Sequence, residues 1–309
     1  MVLPVLIIWL SLLADRVAGD PPNRYHPVAW LGRFIGWWGR PAVYPEKTRR
    51  FVGFFMGILT AVLFSLPFFI LDLYLPVWAA IVVAPFLLKI CLAWRCLEEH
   101  VASVEKALSQ EGGGRSEVGM LVSRDPDSLS EEEVLSAAYE SMSENLTDSI
   151  VSPLFYYSLF GLGGAAFFRA SNTMDAMLGY RDERIKIGWF PARLDDLLNF
   201  IPARLAGLSL VIWFAAKGSL GDAWAVLKRD RKKRAGPNGG VTMSLIAGGC
   251  GIAFIKPGVY VIGDKKRSLI EAGADIRDAV RAATIISAII LSLVLLAAGG
   301  IVFRFLLCL

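Results

Sequence analysis

The sequence predicts an all-α, polytopic membrane protein, on three observations. Hydrophobic residues make up 55% of the 309 residues and charged residues only 19%. Mean hydropathy is +0.53. Phe51 to Leu71 gives 21 residues without a charge, and Ala282 to Phe303 gives 22. About 20 apolar residues, rising about 1.5 Å each, cross a hydrocarbon layer of roughly 30 Å. A soluble domain of this size buries a large core without needing such runs, so both are read as spanning helices. The whole chain then carries about four to six spans, with re-entrant or interfacial helices beside them.

The first apolar run, Met1 to Ala14, is short. It lacks a basic n-region and a small-residue cleavage site before Asp15, so it reads as a retained helix and not a removable signal. Leu73 to Leu88 supplies a further span, with Lys89 and Arg95 able to reach the interface. Asp72-Leu73-Tyr74-Leu75-Pro76 is the expected tight turn before it. Ile150 to Phe168 is uncharged for 19 residues but carries Pro153 and three glycines, and Leu197 to Ala216 is interrupted by Arg204. Each is a span or a re-entrant helix. Glycine-rich Val241 to Ile255 is expected to lie on or partly in the membrane.

The chain reads as one integral membrane domain over residues 1–309, with polar segments 15–50, 95–149 and 217–281 in the cytoplasm. Arg16, Arg24, Arg33, Arg40, Lys47, Arg49 and Arg50 outnumber Asp15, Asp20 and Glu46 in the first segment, and basic loops favour the inside. The basic run Lys228 to Arg234 belongs inside for the same reason. It has no interleaved aromatics, so it suits a lipid bilayer surface and not nucleic acid. Cys91, Cys96, Cys250 and Cys308 form no CxxC pair, and the histidines are only His26 and His100. A zinc site or disulfide framework is therefore not expected.

Gln110 to Ser116, with three consecutive glycines, is a loop. Ser128 with Glu131, and Ser130 with Glu133, offer capping boxes that start a helix near residue 130. On that helix Glu140, Glu144 and Asp148 recur every four residues, which stacks three carboxylates on one face. Like charges so spaced repel unless a cation, metal or basic partner relieves them; the plain alternative is a solvated acidic face. A second cluster holds Asn172, Asp175, Tyr180, Arg181, Asp182, Glu183 and Arg184, then Arg193, Asp195, Asp196, Asn199 and Arg204. Acidic pairs beside apolar helices commonly hold Mg²⁺ against a phosphate, because the ion takes oxygen ligands and keeps several waters. Arg184, Arg193 and Arg204 suit bidentate clamping of phosphate or carboxylate. Charge at membrane depth is costly and points to function; internal salt bridges are the alternative. Gly19 to Val28 is a proline-fixed turn holding Asp20 and His26, and Pro237-Asn238-Gly239-Gly240 is a turn whose backbone N–H groups suit an anion.

Taken in order, several of these stretches resemble the cobalamin-biosynthesis membrane family CobD/CbiB, the cobinamide-phosphate synthases. They are Gly19 to Val28, Glu140 to Asn145 with Asp148, Ser152 to Tyr156, Asn172 to Asp175, Gly179-Tyr180, Ala192 to Asp196, Ile201 to Arg204 and Pro237-Asn238. Where family members often have an Asn-Ala-Gly turn, this chain has Asn238-Gly239-Gly240. The resemblance implies an enzyme that joins aminopropanol, or its O-phosphate, in amide linkage to adenosylcobyric acid. An amide does not form from a free carboxylate at neutral pH without activation, so Mg²⁺ and ATP are implied as cofactors. It implies catalytic roles for Glu140, Glu144, Asp148, Asp195 and Asp196, with Glu144, Asp148, Asp195 and Asp196 as metal ligands. Asp20, His26, Asn145, Asn172, Asp175, Tyr180, Arg184, Arg193, Arg204 and Asn238 would bind substrate. No Gly-Lys-Ser/Thr phosphate loop is present. Cytoplasmic substrates put the active face, including residues 169–200, on the cytoplasmic side of the cell membrane, and admit other late cobalamin-pathway enzymes as partners. Intramembrane charges and broken helices fit a corrinoid transporter as an alternative, though paired repeats are missing. A phosphoalcohol or prenyl transferase is a third reading, against which stands the absence of longer spaced-aspartate signatures.

Overall fold

The computed structural model describes residues 2–108 and 130–307. The expected loop at Gln110 to Ser116, and Ser128 and Cys308, lie outside the described residues. The fold is helical, as the hydropathy pattern requires. Among the described residues, four stretches are long and apolar enough to cross a membrane: Glu46–Tyr74, Val77–Leu108, Glu131–Leu178 and Leu269–Ala298. Counting Trp189–Leu198 with Phe200–Ala216 as one bent span makes five. The chain is a polytopic helical membrane protein. It divides into two compact units: Met1–Ala93 with Ser152–Asn199 and Ala288–Leu309, and Trp94–Val151 with Phe200–Ser287.

The first unit holds α1 (Val2–Ala18), α2 (Pro27–Trp38), α3 (Arg49–Tyr74), α4 (Val77–Lys89), α7 (Ser152–Leu178) and α8 (Trp189–Leu198). His26 caps α2, its Nδ1 accepting from the Val28 N–H at 3.2 Å, and Pro27 follows with a preset φ. Helix α3 runs through three residues expected to turn and stops at Leu75, because Pro76 has no N–H to continue the ladder. Leu31, Ile35 and Trp38 of α2 pack with Ala61, Ala170, Met174, Leu178 and Ile187 in a buried core. Only 22% of the most apolar window of Glu46–Tyr74 is buried, which leaves its remaining surface for lipid.

Helix α7 is interrupted, as its glycines suggested, at Phe160 and Gly161. Gly161 has φ +64°, and a Cβ there would stand 1.8 Å from Asp72 Oδ2. The same carboxylate accepts the Leu162 N–H at 3.0 Å and so caps the second half of the helix. Gly161→Ala is expected to cost about 3 kcal/mol, through left-handed backbone strain and collision with that cap. Thermal melting in detergent reads it, and an unchanged transition would remove the capped break as a structural element.

The second unit holds α5 (Trp94–Leu108), α6 (Glu131–Leu146), a π-helical turn (Thr147–Val151), α9 (Phe200–Ala216), α10 (Leu220–Asp230) and α11 (Gly239–Cys250). It continues with a hairpin of β1 (Ala253–Lys256) and β2 (Tyr260–Gly263), then α12 (Leu269–Leu307) up to residue 287. Ser130 and Glu133 form the expected capping box at the start of α6. The hairpin is antiparallel, pairing Ala253 with Gly263 and Lys256 with Tyr260. The stretch Val241 to Ile255, expected as a helix on or partly in the membrane, is a helix up to Cys250, largely buried within this unit, and then a strand from Ala253. Glycine explains the burial: a Cβ at Gly248 would lie 2.5 Å from the Asp222 carbonyl, and one at Gly249 2.3 Å from the Phe214 ring. The basic run is partly internal too. Buried Asp230 takes Arg229 at 2.8 Å, Lys233 at 2.7 Å and the Gly263 N–H at 2.8 Å.

Candidate functional site

In the first unit two polar clusters gather residues distant in sequence. Asp20 accepts from Lys89 Nζ at 2.5 Å, and His26 Nε2 lies 3.7 Å from the same oxygen. Burial alone would raise the Asp20 pKa, but His26 and Lys89 outweigh it and hold the carboxyl below the usual range. Lys89, expected to reach the interface, is buried with only 4% of its surface exposed. The Gly19 to His26 turn is thereby fastened to α4.

The second cluster is built on α7 and α8. Asp195, 7% exposed, accepts from Asn172 Nδ2 at 3.3 Å and Asn199 Nδ2 at 2.9 Å. Asn199 Oδ1 in turn accepts from Ser152 Oγ at 2.6 Å, while Tyr156 Oη donates to the Leu198 carbonyl at 2.8 Å. Asp175 and Asp196 are both close enough to repel the Asp195 charge. The sequence-predicted Asn172, Asp175, Asp195 and Asp196 thus lie together; Ser152 and Asn199 complete the network. Tyr180 and Arg184 form a separate pair, the guanidinium 4.0 Å from the ring centroid and hydrogen-bonded to Asp182. Those hydrogen bonds draw the exposed Asp182 down to about 2. Arg193 is exposed on α8.

In the second unit the carboxylate stripe meets bases and a phenol. Glu140, 4% exposed, accepts from Ser136 Oγ at 2.8 Å and Tyr260 Oη at 2.7 Å. Burial and the Glu140 charge push the Tyr260 phenol well above its ordinary range. Glu144 Oε1 accepts from Arg234 Nη2 at 2.8 Å, and Asp148 lies within electrostatic reach of the same guanidinium. The Glu144 charge raises the Arg234 pKa. Asp148 stands in the π-helical turn, so the stripe leaves strict α spacing there; such turns recur at functional sites. Asn145 is bonded locally, donating to the Ser141 carbonyl at 3.0 Å and accepting from Ser149 at 2.8 Å. Arg204 donates to Asn238 Oδ1 at 2.7 Å and to the Pro237 carbonyl at 3.2 Å. The sequence reading missed Arg234, Tyr260 and Ser136 as members.

Among the described residues, no three His, Cys, Asp or Glu side chains gather to hold a metal by themselves. Mg²⁺ asks for less, since it takes one or two carboxylates, waters and substrate phosphates. Asp195 with Asp175, and Glu144 with Asp148, each fit that smaller requirement.

A family model described as CobD/Cbib protein matches residues 8–292 and so covers every residue of these clusters. The chain belongs to the CobD/Cbib family. It is 38% identical over 303 residues to a probable cobalamin biosynthesis protein CobD of Methanothermobacter thermautotrophicus, covering 96% of this chain and 97% of that one. It is 38% identical over 273 residues to the cobalamin biosynthesis protein CobD of Dehalococcoides mccartyi, covering 86% and 89%. A probable CobD of Pyrococcus abyssi is 41% identical over 266 residues, covering 83% and 85%. No solved structure matches the chain. Membership in the CobD/Cbib family and the names of these relatives support a role in cobalamin biosynthesis.

Proposed function

We propose that this protein is the amide-forming ligase that joins aminopropanol, or its O-phosphate, to adenosylcobyric acid at the cytoplasmic face of the cell membrane. The observation that carries this reading is a CobD/Cbib chain whose Glu140, Glu144 and Asp148 meet Arg234 and Tyr260 in one polar cluster. Activation of the corrinoid carboxylate as an acyl phosphate requires ATP, and bound Mg²⁺ would screen the phosphate charges during that transfer. The ammonium of the amine first gives one proton to a carboxylate base; the free amine then attacks the acyl carbon, the C–O bond to phosphate breaks and phosphate leaves, and the nitrogen gives its second proton to the departing phosphate. Glu144 or Asp148 is the base for the incoming ammonium, because both stand at the partly exposed edge of the cluster while Glu140 is buried and doubly hydrogen-bonded. Arg184, Arg193 and Arg204 hold phosphates or corrin carboxylates. Asp195 and Asp196, with Asp175 beside them, bind a cation.

The test uses purified protein in detergent with adenosylcobyric acid, aminopropanol or its O-phosphate, ATP and Mg²⁺. Amide product detected by mass spectrometry is the expected result. No product, together with corrinoid uptake by proteoliposomes, would overturn the ligase reading in favour of transport.

A further inference from the structure

Helix α2 turns Leu31, Ile35 and Trp38 into the core of the first unit. Its outer face carries a repeated pair, Trp30 with Arg33 and then Trp37 with Arg40. Both tryptophans are more than half exposed. Arg33 and Arg40 each bond a carbonyl of their own helix through Nε, those of Ala29 and Gly36, and among the described residues neither forms an ion pair. Exposed indoles alternating with guanidinium groups on one helix face suit the headgroup layer of a bilayer.

Beside Trp30 a groove of about 420 Å³ opens between α2, α3 and α4. Thr60, Leu63, Phe64, Pro67, Phe68 and Leu71 line it from α3. Their intervals of three and four make one helix face, about 17 Å long at about 1.5 Å per residue. One leaflet of a bilayer is about 15 Å of hydrocarbon, so the lengths match. The polar side chains of the wall are already engaged. Thr60 Oγ1 donates to the Met56 carbonyl at 2.6 Å, and Trp30 Nε1 donates to the Arg24 carbonyl at 2.8 Å. The wall therefore has no side-chain group left to orient a polar ligand, and it suits a hydrocarbon chain. Charge gathers only at the Trp30 end, where Arg24, held through its carbonyl, and Arg33, one turn on, are both exposed.

We propose that this groove binds one anionic phospholipid, with an acyl chain along α3 from Leu71 to Thr60 and the headgroup phosphate on Arg24 and Arg33 beside Trp30. The site stands apart from the ligase reading, because none of these residues is assigned to the chemistry. The chain supplies affinity by burial, and each arginine near the anionic headgroup adds about fivefold. The apolar wall excludes a free phosphate as the sole ligand, and the two arginines set an anionic lipid above a zwitterionic one.

Native mass spectrometry of the delipidated full chain, titrated in detergent, tests the site. The probes are phosphatidylglycerol, phosphatidylcholine and glycerol 3-phosphate. One phosphatidylglycerol should bind about tenfold or more tightly than phosphatidylcholine, and glycerol 3-phosphate should not be retained. Arg24→Gln and Arg33→Gln should each weaken phosphatidylglycerol by about fivefold and leave phosphatidylcholine unchanged. Lys47→Gln, on an exposed basic residue outside the groove, should change neither. Leu63→Trp, which fills the groove from a half-exposed position, should weaken both lipids by about tenfold or more. Melting curves check the fold, and the exposed arginine variants carry the test if Leu63→Trp melts early. Equal binding of the two lipids overturns the proposal, as does equal weakening by Lys47→Gln and Arg33→Gln, which would mean diffuse surface charge. Retention of glycerol 3-phosphate that Arg33→Gln abolishes would make it a site for free phosphate, and the lipid reading falls. A delipidated dimer that Leu63→Trp converts to monomer, with no lipid bound by either, would assign the groove to a second copy of the chain instead.

Discussion

Asp195→Asn is expected to lower amide formation by a factor of about 10² to 10⁴ while the protein still folds. Asp195 is buried on α8, and its hydrogen bonds come from the neutral amides of Asn172 and Asn199. Asp175 and Asp196 stand close enough to oppose its charge. A buried carboxylate among neutral amides and other carboxylates is an unfavourable arrangement unless a cation joins it. Asparagine keeps the shape and one acceptor oxygen, so it can still hold Asn199, and through it Ser152, while the longer bond from Asn172 is lost together with the charge. Asp195→Ala behaves differently, because both asparagine amides then lose their acceptor, at about 1–3 kcal/mol for each stranded group. Initial rates and melting curves measured on both variants separate the two effects. Full activity in Asp195→Asn would remove this carboxylate from the chemistry.

What the residues disclose about fold and site follows the range of the interactions involved. Local signals are legible: the Ser130–Glu133 box does start α6, and glycines 161, 163 and 164 do mark an interrupted α7. The break falls at Gly161 and not at Pro153: Pro153 directly follows the π-helical turn Thr147–Val151, where the ladder is already shifted, and the helix continues past it, whereas Gly161 takes a left-handed backbone. Pro257 and Gly258 are a turn signal, and Gly258 adopts φ +68°, yet the hairpin they join was read as helix up to Ile255. Glycine-rich apolar sequence gives no period by which to tell a buried helix from a strand. Long-range pairings are not legible at all. Tyr260 reaches Glu140 across 120 positions and Arg234 reaches Glu144 across 90, and neither tyrosine in a strand nor arginine in a basic run announces such a partner. The run Lys228 to Arg234 looked like a membrane-surface patch because sequence shows only its sum. Buried Asp230 holds Arg229 and Lys233 in ion pairs, so only part of the run's charge is left for a surface.

Glu144→Gln is expected to separate catalysis from stability most sharply. Glu144 and Arg234 are 31% and 28% exposed, so their ion pair is screened by water and contributes only about 0.2–1 kcal/mol. Glutamine retains the amide oxygen that accepts from Arg234 and the volume that fills the space beside Gly239. The melting temperature should therefore shift by a few degrees at most. Turnover should fall by about 10² to 10⁴, because the amide cannot accept a proton from the ammonium and cannot hold it by charge. Lowering the pH would not restore it, since the missing group is a base. A variant that merely loosened the structure would melt early and lose rate in proportion; one that removed the base would melt near wild type and lose rate alone. Measuring kcat and melting temperature on the same preparation distinguishes them, and a Glu144→Gln protein with wild-type kcat would shift the role of base to Asp148 on the adjoining π-helical turn, where Asp148→Asn is the corresponding substitution.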